Sequence, residues 1–150
     1  MKIKDWMTKT VLTVKQLEPI TRARQIMVEN RVNQLPVMKN KKIVGIVTDR
    51  DLRDAFPSAF LSAWTSARST RTQQSLDPKD VTVEMVMTSD VVTLGPDMSL
   101  STAADTMRSE RIGAIPIVSG ENLLGIVTRS DVLRAFVALA ETVESTRSAS

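Results

Sequence analysis

The chain has 150 residues, a net charge of +3, no cysteine and no histidine. This length suits one compact domain or two small units that share a core. The apolar fraction of 42% and the charged fraction of 25% are ordinary for a folded globular protein. Disulfides and thiolate metal sites are excluded without cysteine, and the commonest general base and metal ligand is missing without histidine. The composition therefore disfavours catalysis, leaving only a carboxylate-based mechanism open.

No apolar run is long enough to cross a bilayer, and residues 1–5 lack the apolar segment of a signal peptide. We therefore expect a cytoplasmic protein without a membrane partner. Nucleic-acid binding is not favoured, because the basic residues are scattered and aromatic residues make up only 3% of the chain. A basic linker, described below, leaves a weak nucleic-acid role open.

An internal duplication organises the sequence. Residues 5–56 fall on residues 85–136 when they are shifted by 80 positions without a gap. A Met-Thr pair, a proline and a Gly-Ile-Val-Thr run recur at matching positions in the two copies. Such agreement without one insertion does not arise by chance, so we expect two copies of one structural unit.

Each copy predicts the element order β-α-β-β-α from its apolar periodicity and its turn residues. The first copy has a predicted strand at 11–14, a helix opened by Pro19 and Thr21, strands at 35–38 and 43–47 joined by a turn at 40–42, and a helix at 49–56. The second copy has a predicted strand at 91–94, a helix opened by Pro96, Ser99 and Ser101, strands at 115–118 and 123–127 joined by a turn at 119–122, and a helix at 129–142.

A unit of roughly 50 residues is marginal alone. The expected fold is therefore α/β (α+β), with two β-α-β-β-α repeats that share a core and pack with pseudo-two-fold symmetry. The predicted segments are repeat 1 at 1–56, a linker at 57–83, repeat 2 at 84–142 and a flexible tail at 143–150. The linker is rich in Ser, Thr and Arg but contains Phe60, Leu61 and Trp64. It is either a surface linker with one anchored turn or a lid or partner-contact segment.

Each copy also places Thr-x-x-Asp directly after a Gly-Ile-Val strand, as Thr48 with Asp51 and Thr128 with Asp131. At a helix start this spacing is nearly a capping box, in which the hydroxyl and the carboxylate accept from backbone N–H groups. The same position suits a ligand, because helix N-termini attract phosphate and a carboxylate there can accept both hydroxyls of a ribose. Recurrence at two strand ends favours a paired nucleotide-sensing site over two simple caps.

The duplicated Met-Thr pairs, the Leu-Pro-Val and Ile-Pro-Ile strands and the two Gly-Ile-Val-Thr-x-x-Asp runs resemble the CBS domain pair, or Bateman module. The resemblance covers about residues 5–56 and 84–140. The Thr-Asp-Arg-Asp sequence before a long linker looks most like the CBS pair of acetoin-utilisation-type proteins. Those proteins carry a further C-terminal domain that this sequence lacks, so the resemblance does not transfer their pathway.

In CBS pairs the aspartate resembles a ribose-binding residue and the threonine a ribose- or phosphate-binding one, while the base lies against strand ends of the opposite repeat. Carried over by position, the resemblance implies that Thr48 and Asp51 face Thr88, Val92, Gly113, Ala114 and Pro116. It likewise implies that Thr128 and Asp131 face Thr8, Leu12, Asn33, Gln34 and Pro36. Arg50 is placed to meet phosphates in the first site, where the second has Arg129 and Ser130.

The two predicted sites differ in their base walls. Gly113 and Ala114 leave room for an adenine in the first site, whereas Asn33 and Gln34 either crowd the base or hydrogen-bond its edge in the second. We expect the first site to bind nucleotide better. Lys9, Lys41 and Lys42 either neutralise a longer polyphosphate or are simply solvated, and Met27, Met87 and Met107 fall at core positions. Asp49 with Asp51 either touches Mg²⁺ through a nucleotide or forms a charged helix start; no metal site of the protein's own is predicted.

The sequence thus predicts a regulatory CBS pair that binds AMP, ADP or ATP as a ligand, with no obligatory cofactor and no catalysis. Three alternatives stay open: S-adenosylmethionine as the ligand, an interaction adaptor with empty pockets, and a hydrolase or transferase acting on nucleotides. The resemblance also implies a homodimer formed through helices, with an unknown partner protein. The apolar residues that suit such a helix seam are Ala55, Phe56, Leu133, Phe136, Val137 and Leu139. Trp6 packs either on the core or at this seam.

Overall fold

A computed structural model of the chain describes residues 1–55 and 77–150. The described part is a mixture of helices and small sheets, which confirms the predicted α+β class. The strands are β1 (Val14–Lys15), β2 (Gln34–Lys39), β3 (Lys42–Thr48), β4 (Ala114–Ser119) and β5 (Asn122–Thr128). The helices are α1 (Ile20–Asn30), α2 (residues 49–55), α3 (Leu100–Glu110) and α4 (Arg129–Ser148), with short 3-10 helices at Ile3–Asp5, Pro78–Asp80 and Val83–Met85.

The chain divides into two compact units whose composition differs from the two sequence repeats. One unit is the continuous segment Leu12–Val91, called here the continuous unit. The other joins Met1–Val11 to Val92–Ser150 and is called here the split unit. The short segment that opens each sequence repeat, residues 1–11 in the first and 81–91 in the second, is called here the opening segment. Each opening segment is therefore part of the unit that holds the sheet of the other copy. The predicted boundaries at 1–56 and 84–142 remain a prediction about the duplicated sequence.

The continuous unit contains a three-stranded sheet in the order β1-β2-β3. β1 pairs in parallel with β2, and β2 forms an antiparallel hairpin with β3. The turn at Asn40 and Lys41 has φ values of 48° and 64°, the left-handed pair that a tight type I′ hairpin turn requires. One face of the sheet packs with α1 and α2. Its buried core consists of Val14, Ile20, Ala23, Met27, Leu35, Val37, Val47, Leu52 and Val83.

The split unit repeats this arrangement around the antiparallel hairpin of β4 and β5. Leu94 adds a parallel bridge to Ile117, at the place that β1 takes in the continuous unit. The buried core consists of Ile3, Leu100, Ala103, Met107, Ile115, Ile117, Val127 and Ala135. Ile3 from the start of the chain is completely buried there, as Val83 is in the other unit. The opening segment of each repeat thus supplies a core residue to the unit that it joins.

The opening segments also pair with β5 and β3, next to the glycine that recurs in the two copies. Thr8 and Ile126 exchange both backbone hydrogen bonds at 2.9 and 3.0 Å, and Thr88 and Ile46 do the same at 2.9 and 3.0 Å. A Cβ at Gly125 would lie 2.8 Å from the carbonyl oxygen of Thr8, and one at Gly45 would lie 3.0 Å from that of Thr88. Only glycine admits backbone at this distance, which explains the glycine of the Gly-Ile-Val-Thr run in both copies.

The methionines that precede these threonines pack against the same two glycines. A Cβ at Gly125 would lie 2.7 Å from Met7 Sδ, and one at Gly45 would overlap Met87 Sδ. Met27 and Met107 are only 4% exposed and Met87 packs against the continuous unit's core, which confirms the predicted core role of these methionines. Met7 and Thr8 therefore pack against Gly125 in the split unit. The second Met-Thr pair packs against Gly45 in the continuous unit.

A salt bridge holds the start of the split unit to the loop before α3. Lys4 Nζ lies 2.8 Å from Asp97 Oδ1, and Lys2 lies 3.4 Å from the same oxygen. The hydrogen bond between Lys4 and Asp97 raises the pKa of Lys4 and lowers the pKa of Asp97. Since these side chains are exposed, the pair fixes orientation more than it adds stability.

The first predicted strand of each copy is wrong in extent. In the first copy only Val14–Lys15 forms a strand, where residues 11–14 were expected, because Val37 and Met38 provide the only ladder partners there. In the second copy only Leu94 of the expected 91–94 forms a bridge. The hairpins, their turns at residues 40–41 and 120–121, and the starts of α1 and α3 are confirmed.

Helix α4 runs to Ser148, past the end predicted at residue 142. Thr142 and Thr146 each donate a hydroxyl to the carbonyl one turn earlier, at 2.9 and 2.8 Å, so polar composition does not stop the helix here. Residues 143–148 are helical, and the predicted flexibility of 143–150 stays a prediction. Phe56, Phe60, Leu61 and Trp64 lie outside the described residues, so the linker interpretations stay open. No helix within 1–55 or 77–150 combines the length and apolar character needed to span a membrane.

We predict that Gly125→Ala destabilises the protein by about 2 kcal/mol, because the new methyl group must push the Thr8 backbone and Met7 away from β5. Urea unfolding followed by circular dichroism measures the change. Gly95→Ala is the matched control, since its Cβ meets nothing nearer than 3.9 Å and its effect should stay within about 0.5 kcal/mol. Equal stabilities for the two variants would contradict the close approach of the Thr8 backbone to Gly125.

Candidate functional site

The Thr-x-x-Asp sequences form complete capping boxes in both copies. In the continuous unit, the Thr48 N–H donates to Asp51 Oδ2 at 2.9 Å and the Asp51 N–H donates to Thr48 Oγ1 at 3.1 Å. In the split unit, Thr128 and Asp131 make the same reciprocal bonds at 2.9 and 3.4 Å. The capping interpretation is therefore confirmed at both helix starts. We call these two sites the first corner (Thr48 and Asp51) and the second corner (Thr128 and Asp131).

Each corner lies at one edge of its sheet, where the last strand of the hairpin ends and the first begins. Gln34 pairs with Thr48, and the Asp49 N–H donates to the Asn33 carbonyl at 2.8 Å. In the split unit, Ala114 pairs with Thr128, and the Arg129 N–H donates to the carbonyl of Gly113 at 3.1 Å. The residues just before β2 and β4 are thereby held beside the capped helix of their own unit.

The opening segments bring a second threonine to each of these edges. Thr88 pairs with Ile46, two residues before Thr48, and its side chain is exposed. Thr8 pairs with Ile126, two residues before Thr128, and is exposed as well. Strand pairing thus places Thr88 in the unit of the first corner and Thr8 in the unit of the second, and their predicted role in the site stays a prediction. An exposed threonine at the same sheet edge as a capped carboxylate is suited to a ligand with several hydroxyl groups.

The remaining predicted site residues fall in the two units as follows. The continuous unit holds Thr48, Arg50, Asp51, Leu12, Asn33, Gln34, Pro36 and Thr88. The split unit holds Thr128, Asp131, Thr8, Val92, Gly113, Ala114 and Pro116. The prediction that a base contacts strand ends of the opposite repeat joins residues of different units, and it stays a prediction.

The charged residues beside the corners differ. Arg50 is exposed on the first turn of α2. Asp49, at the position of Arg129, instead forms a salt bridge with Arg53 at 3.2 Å. Arg129 lines a cavity of about 380 Å³ between α3 and α4, together with Ala104, Met107, Arg108, Arg111, Val132 and Leu133. Arg129 therefore lies on the side of α4 that faces α3.

The sequence reasoning missed one contact at the second corner. Arg134 lies one turn after Asp131, and its Nη2 donates to Asp131 Oδ1 at 3.2 Å. The same Nη2 donates to the carbonyl oxygen of Trp6 at 3.0 Å. The spacing of three residues between Asp131 and Arg134 was a readable signal for a helical ion pair, but the contact with Trp6 spans most of the chain.

Burial also separates the two carboxylates. Asp131 is 6% exposed and is the buried charged residue of the described chain, whereas Asp51 is half-buried. Buried carboxylates need hydrogen-bond donors to offset lost hydration, and Asp131 has them in Thr128 and Arg134. Residues 1–55 and 77–150 contain no group of three or more acidic side chains arranged to hold a metal ion.

The sequence matches the family model described as "CBS domain" twice, at residues 3–58 and 81–138. These two matches cover most of the chain and coincide with the duplicated capping boxes. The chain belongs to the CBS domain family, as a tandem CBS pair.

Two curated relatives show how such a pair occurs in other proteins. The chain is 31% identical over 130 residues to the CBS domain-containing protein YhcV of Bacillus subtilis, covering 87% of this chain and 81% of YhcV. It is 31% identical over 132 residues to MJ1225 of Methanocaldococcus jannaschii, covering 86% of this chain. The chain spans only 46% of the length of MJ1225.

Solved structures share the fold over nearly the full length. A Vibrio cholerae protein provisionally assigned to acetoin utilization (AcuB) has a TM-score of 0.76 and 28% identity, with 97% of this chain and 96% of that one covered. The CBS pair of MJ0100, in complex with 5-methylthioadenosine and S-adenosyl-L-methionine, has a TM-score of 0.75 and 26% identity, with 92% and 97% covered. CBSX2 in complex with AMP has a TM-score of 0.72 and 26% identity, with 93% and 98% covered.

We predict that Thr128→Val lowers the free energy of unfolding by about 1 kcal/mol, because it removes the hydroxyl that caps α4. Urea titration measures the loss. Thr128→Ser keeps the capping oxygen and should stay close to wild type. A Val variant as stable as the Ser variant would show that the capping bond contributes nothing to stability.

Proposed function

We propose that this CBS pair is a regulatory sensor that binds an adenine nucleotide, AMP, ADP or ATP, in the cytoplasm and does not turn it over. The observation that carries the proposal is the duplicated corner, in which a capped carboxylate and an exposed threonine hydroxyl lie at the same sheet edge. Binding changes the affinity of the chain for a partner protein. The nucleotide acts as a regulatory ligand, and no obligatory cofactor is part of the proposal.

The first corner has the chemistry that a ribose requires. The capping bond from Thr48 orients the Asp51 carboxylate through Oδ2. In the described part of the chain no donor is hydrogen-bonded to Oδ1 of Asp51. This oxygen can accept the two adjacent hydroxyls of a ribose, and such charge-assisted bonds are stronger than neutral ones. The N-terminus of α2 and Arg50 favour phosphate oxygens nearby.

The complexes of similar proteins support an adenosyl ligand. CBSX2 is bound to AMP, and MJ0100 is bound to 5-methylthioadenosine and S-adenosyl-L-methionine. These ligands share an adenosine group, and they differ in whether a phosphate or a sulfur centre follows the ribose. The exposed guanidinium of Arg50 favours an anionic phosphate over the cationic sulfonium of S-adenosylmethionine. S-adenosylmethionine is therefore the second candidate ligand, and an adaptor with empty pockets is the third interpretation.

The base contacts carry over from the sequence prediction as part of the same proposal. We assign Val92, Gly113, Ala114 and Pro116 to the base of the ligand at the first corner. We assign Leu12, Asn33, Gln34 and Pro36 to the base at the second. The smaller side chains in the first set favour an adenine there.

We also propose that the chain forms a homodimer through α4. Several of its apolar side chains are exposed: Leu133 by 64%, Phe136 by 65%, Val137 by 53% and Leu139 by 50%. A run of large apolar residues on one helix is costly to hydrate and is typical of an interface. Ala55 is half-buried at the described end of α2, and Phe56 lies outside the described residues.

Our ligand prediction is that Asp51→Asn weakens binding of the preferred adenylate about tenfold or more, because the neutral amide keeps a capping oxygen but loses the charged acceptor. Isothermal titration with AMP, ADP, ATP and S-adenosylmethionine measures the affinities of both proteins. Asp80→Asn removes an exposed carboxylate elsewhere in the continuous unit and should bind like wild type.

Three results would decide among the interpretations. Tighter binding of S-adenosylmethionine than of every nucleotide would replace the proposed ligand. Absence of heat with all four compounds at millimolar concentration would leave only the adaptor. Formation of product from ATP over hours would overturn the noncatalytic role.

Our assembly prediction is that Phe136→Asp raises the dimer dissociation constant about thirtyfold, as expected for an aromatic residue at an interface centre. Sedimentation velocity over a concentration series measures it. Leu17→Asp places the same charge on an equally exposed leucine, 66% exposed, outside the helices and should not alter assembly. A wild-type protein that remains monomeric at all concentrations would contradict the proposed seam.

A further inference from the structure

The two corners share their capping boxes but differ at the position one turn further along the helix. The second corner has Arg134 there, and the first has Asp54 at the equivalent position of the duplication. The residue before the Met-Thr pair differs as well, since Trp6 in the split unit corresponds to Val86 in the continuous unit. Both members of one contact, Trp6 and Arg134, are therefore present in the split unit, and both are replaced in the continuous unit.

That contact joins Arg134 to two groups at once. Its Nη2 donates to Asp131 Oδ1 at 3.2 Å and to the Trp6 carbonyl at 3.0 Å. The guanidinium carbon also lies 5.7 Å from the centre of the Trp6 ring, within the range of a cation–π contact. The arginine thus connects Oδ1 of Asp131 with the opening segment of the chain.

The hydrogen bonds leave Asp131 with little free acceptor capacity. Asp131 Oδ2 accepts from the Thr128 backbone at 2.9 Å and from the Thr128 hydroxyl at 3.0 Å, while Oδ1 accepts from Arg134. At the first corner, no hydrogen bond within residues 1–55 and 77–150 reaches Asp51 Oδ1, and Asp54 has no guanidinium that could replace Arg134. The carboxylate of the first corner therefore has an oxygen available to a ligand, whereas both oxygens of the second already accept hydrogen bonds.

We propose that Arg134 is a displaceable clamp that competes with the ligand's ribose hydroxyls for Asp131 Oδ1. The proposal rests on the adenosyl-binding function proposed above. The first corner fills at lower ligand concentration, and the second fills only when Arg134 gives up Asp131. When Arg134 leaves Asp131, it also leaves Trp6. Ligand binding at the second corner therefore changes the contacts of the opening segment.

The position of the opening segment gives this release a structural consequence. Trp6 follows Ile3, which is completely buried in the split unit and whose N–H donates to Met98 at 2.9 Å. A change at Trp6 therefore acts on a segment that is anchored in the core at one end and paired with β5 through Thr8 at the other. The clamp itself is weak, because the Arg134 side chain is 63% exposed.

The experiment uses the full chain with Trp64→Phe, which leaves Trp6 as the single tryptophan, and Asp51→Asn, which isolates the second corner. Arg134→Ala is compared with Arg108→Ala. Arg108 forms an equivalent bridge to Asp105 over three residues, at 2.7 Å, on α3 of the same unit, so it is the matched control. Acrylamide quenching of Trp6 and isothermal titration with AMP and ATP are measured for each protein.

We expect Arg134→Ala to expose Trp6 to acrylamide before any ligand is added and to tighten second-corner binding about three- to fivefold, the range of an exposed ion pair. Ligand should increase Trp6 quenching in the parent protein and leave it unchanged in Arg134→Ala. Arg108→Ala should match the parent in both measurements.

Failure of the clamp and failure of the proposed function give different results. If nucleotide binds but Arg134→Ala and Arg108→Ala have equal affinity and equal quenching, the clamp is wrong while the sensor stands. If the parent with Asp51 intact binds no adenosyl compound, the proposed function fails, and with it the competition assigned to Arg134. Weaker second-corner binding in Arg134→Ala would also overturn the clamp, because the arginine would then be a ligand contact.

Discussion

Both compact units depend on a backbone segment that crosses a buried strand where a glycine removes the side chain. At Gly125 the carbonyl of Thr8 occupies the space of a Cβ, and at Gly45 the carbonyl of Thr88 does so. The crossing is fixed by two reciprocal backbone hydrogen bonds in each unit. It gives a two-stranded hairpin an additional partner and places a threonine at the edge where the capped helix begins. Without that close approach, the core would lose Ile3 or Val83 and the corner would lose its neighbouring hydroxyl.

In the proposed function, the cap that stabilises each helix start is also the feature that binds the ligand. A capping box satisfies backbone N–H groups at the start of a helix and, in doing so, fixes the direction of a carboxylate. The fixed carboxylate lies at a sheet edge to which the opening segment brings an exposed threonine. Little reorganisation is then required to accept a polyhydroxyl ligand. Duplication supplies two such corners, and substitutions around them make the two chemically unequal.

Much of this architecture could be predicted from the sequence because it is local. The hairpins, the starts of α1 and α3 and the capping boxes follow from apolar period, turn residues and Thr-x-x-Asp spacing. The extent of β1 could not be predicted, because a β-branched run forms a strand only where a partner strand is available. Polar composition after residue 142 suggested an irregular tail, yet α4 continues to Ser148 and accommodates the Thr142 hydroxyl bonded to the carbonyl one turn earlier.

Two features could not be predicted from the sequence because they depend on nonlocal contacts. Ile3 and Val83 occupy the same position of the duplication and are both apolar, so periodicity cannot indicate which hairpin each one joins. The contact of Arg134 with Trp6 depends on that choice, since Trp6 follows Ile3 into the split unit. The capping boxes were predicted correctly from the Thr-x-x-Asp spacing, while the surroundings that distinguish the two corners required the three-dimensional arrangement.

The division into a continuous and a split unit has a consequence for synthesis on the ribosome. Leu12–Val91 is one uninterrupted stretch and can begin to fold while the rest of the chain is still being made. Met1–Val11 emerges first, but Thr8 finds Ile126 only after β5 has been translated. The earliest residues are therefore among the last to be placed. Folding of the continuous unit in the meantime shortens the effective loop that must close, which lowers its entropic cost.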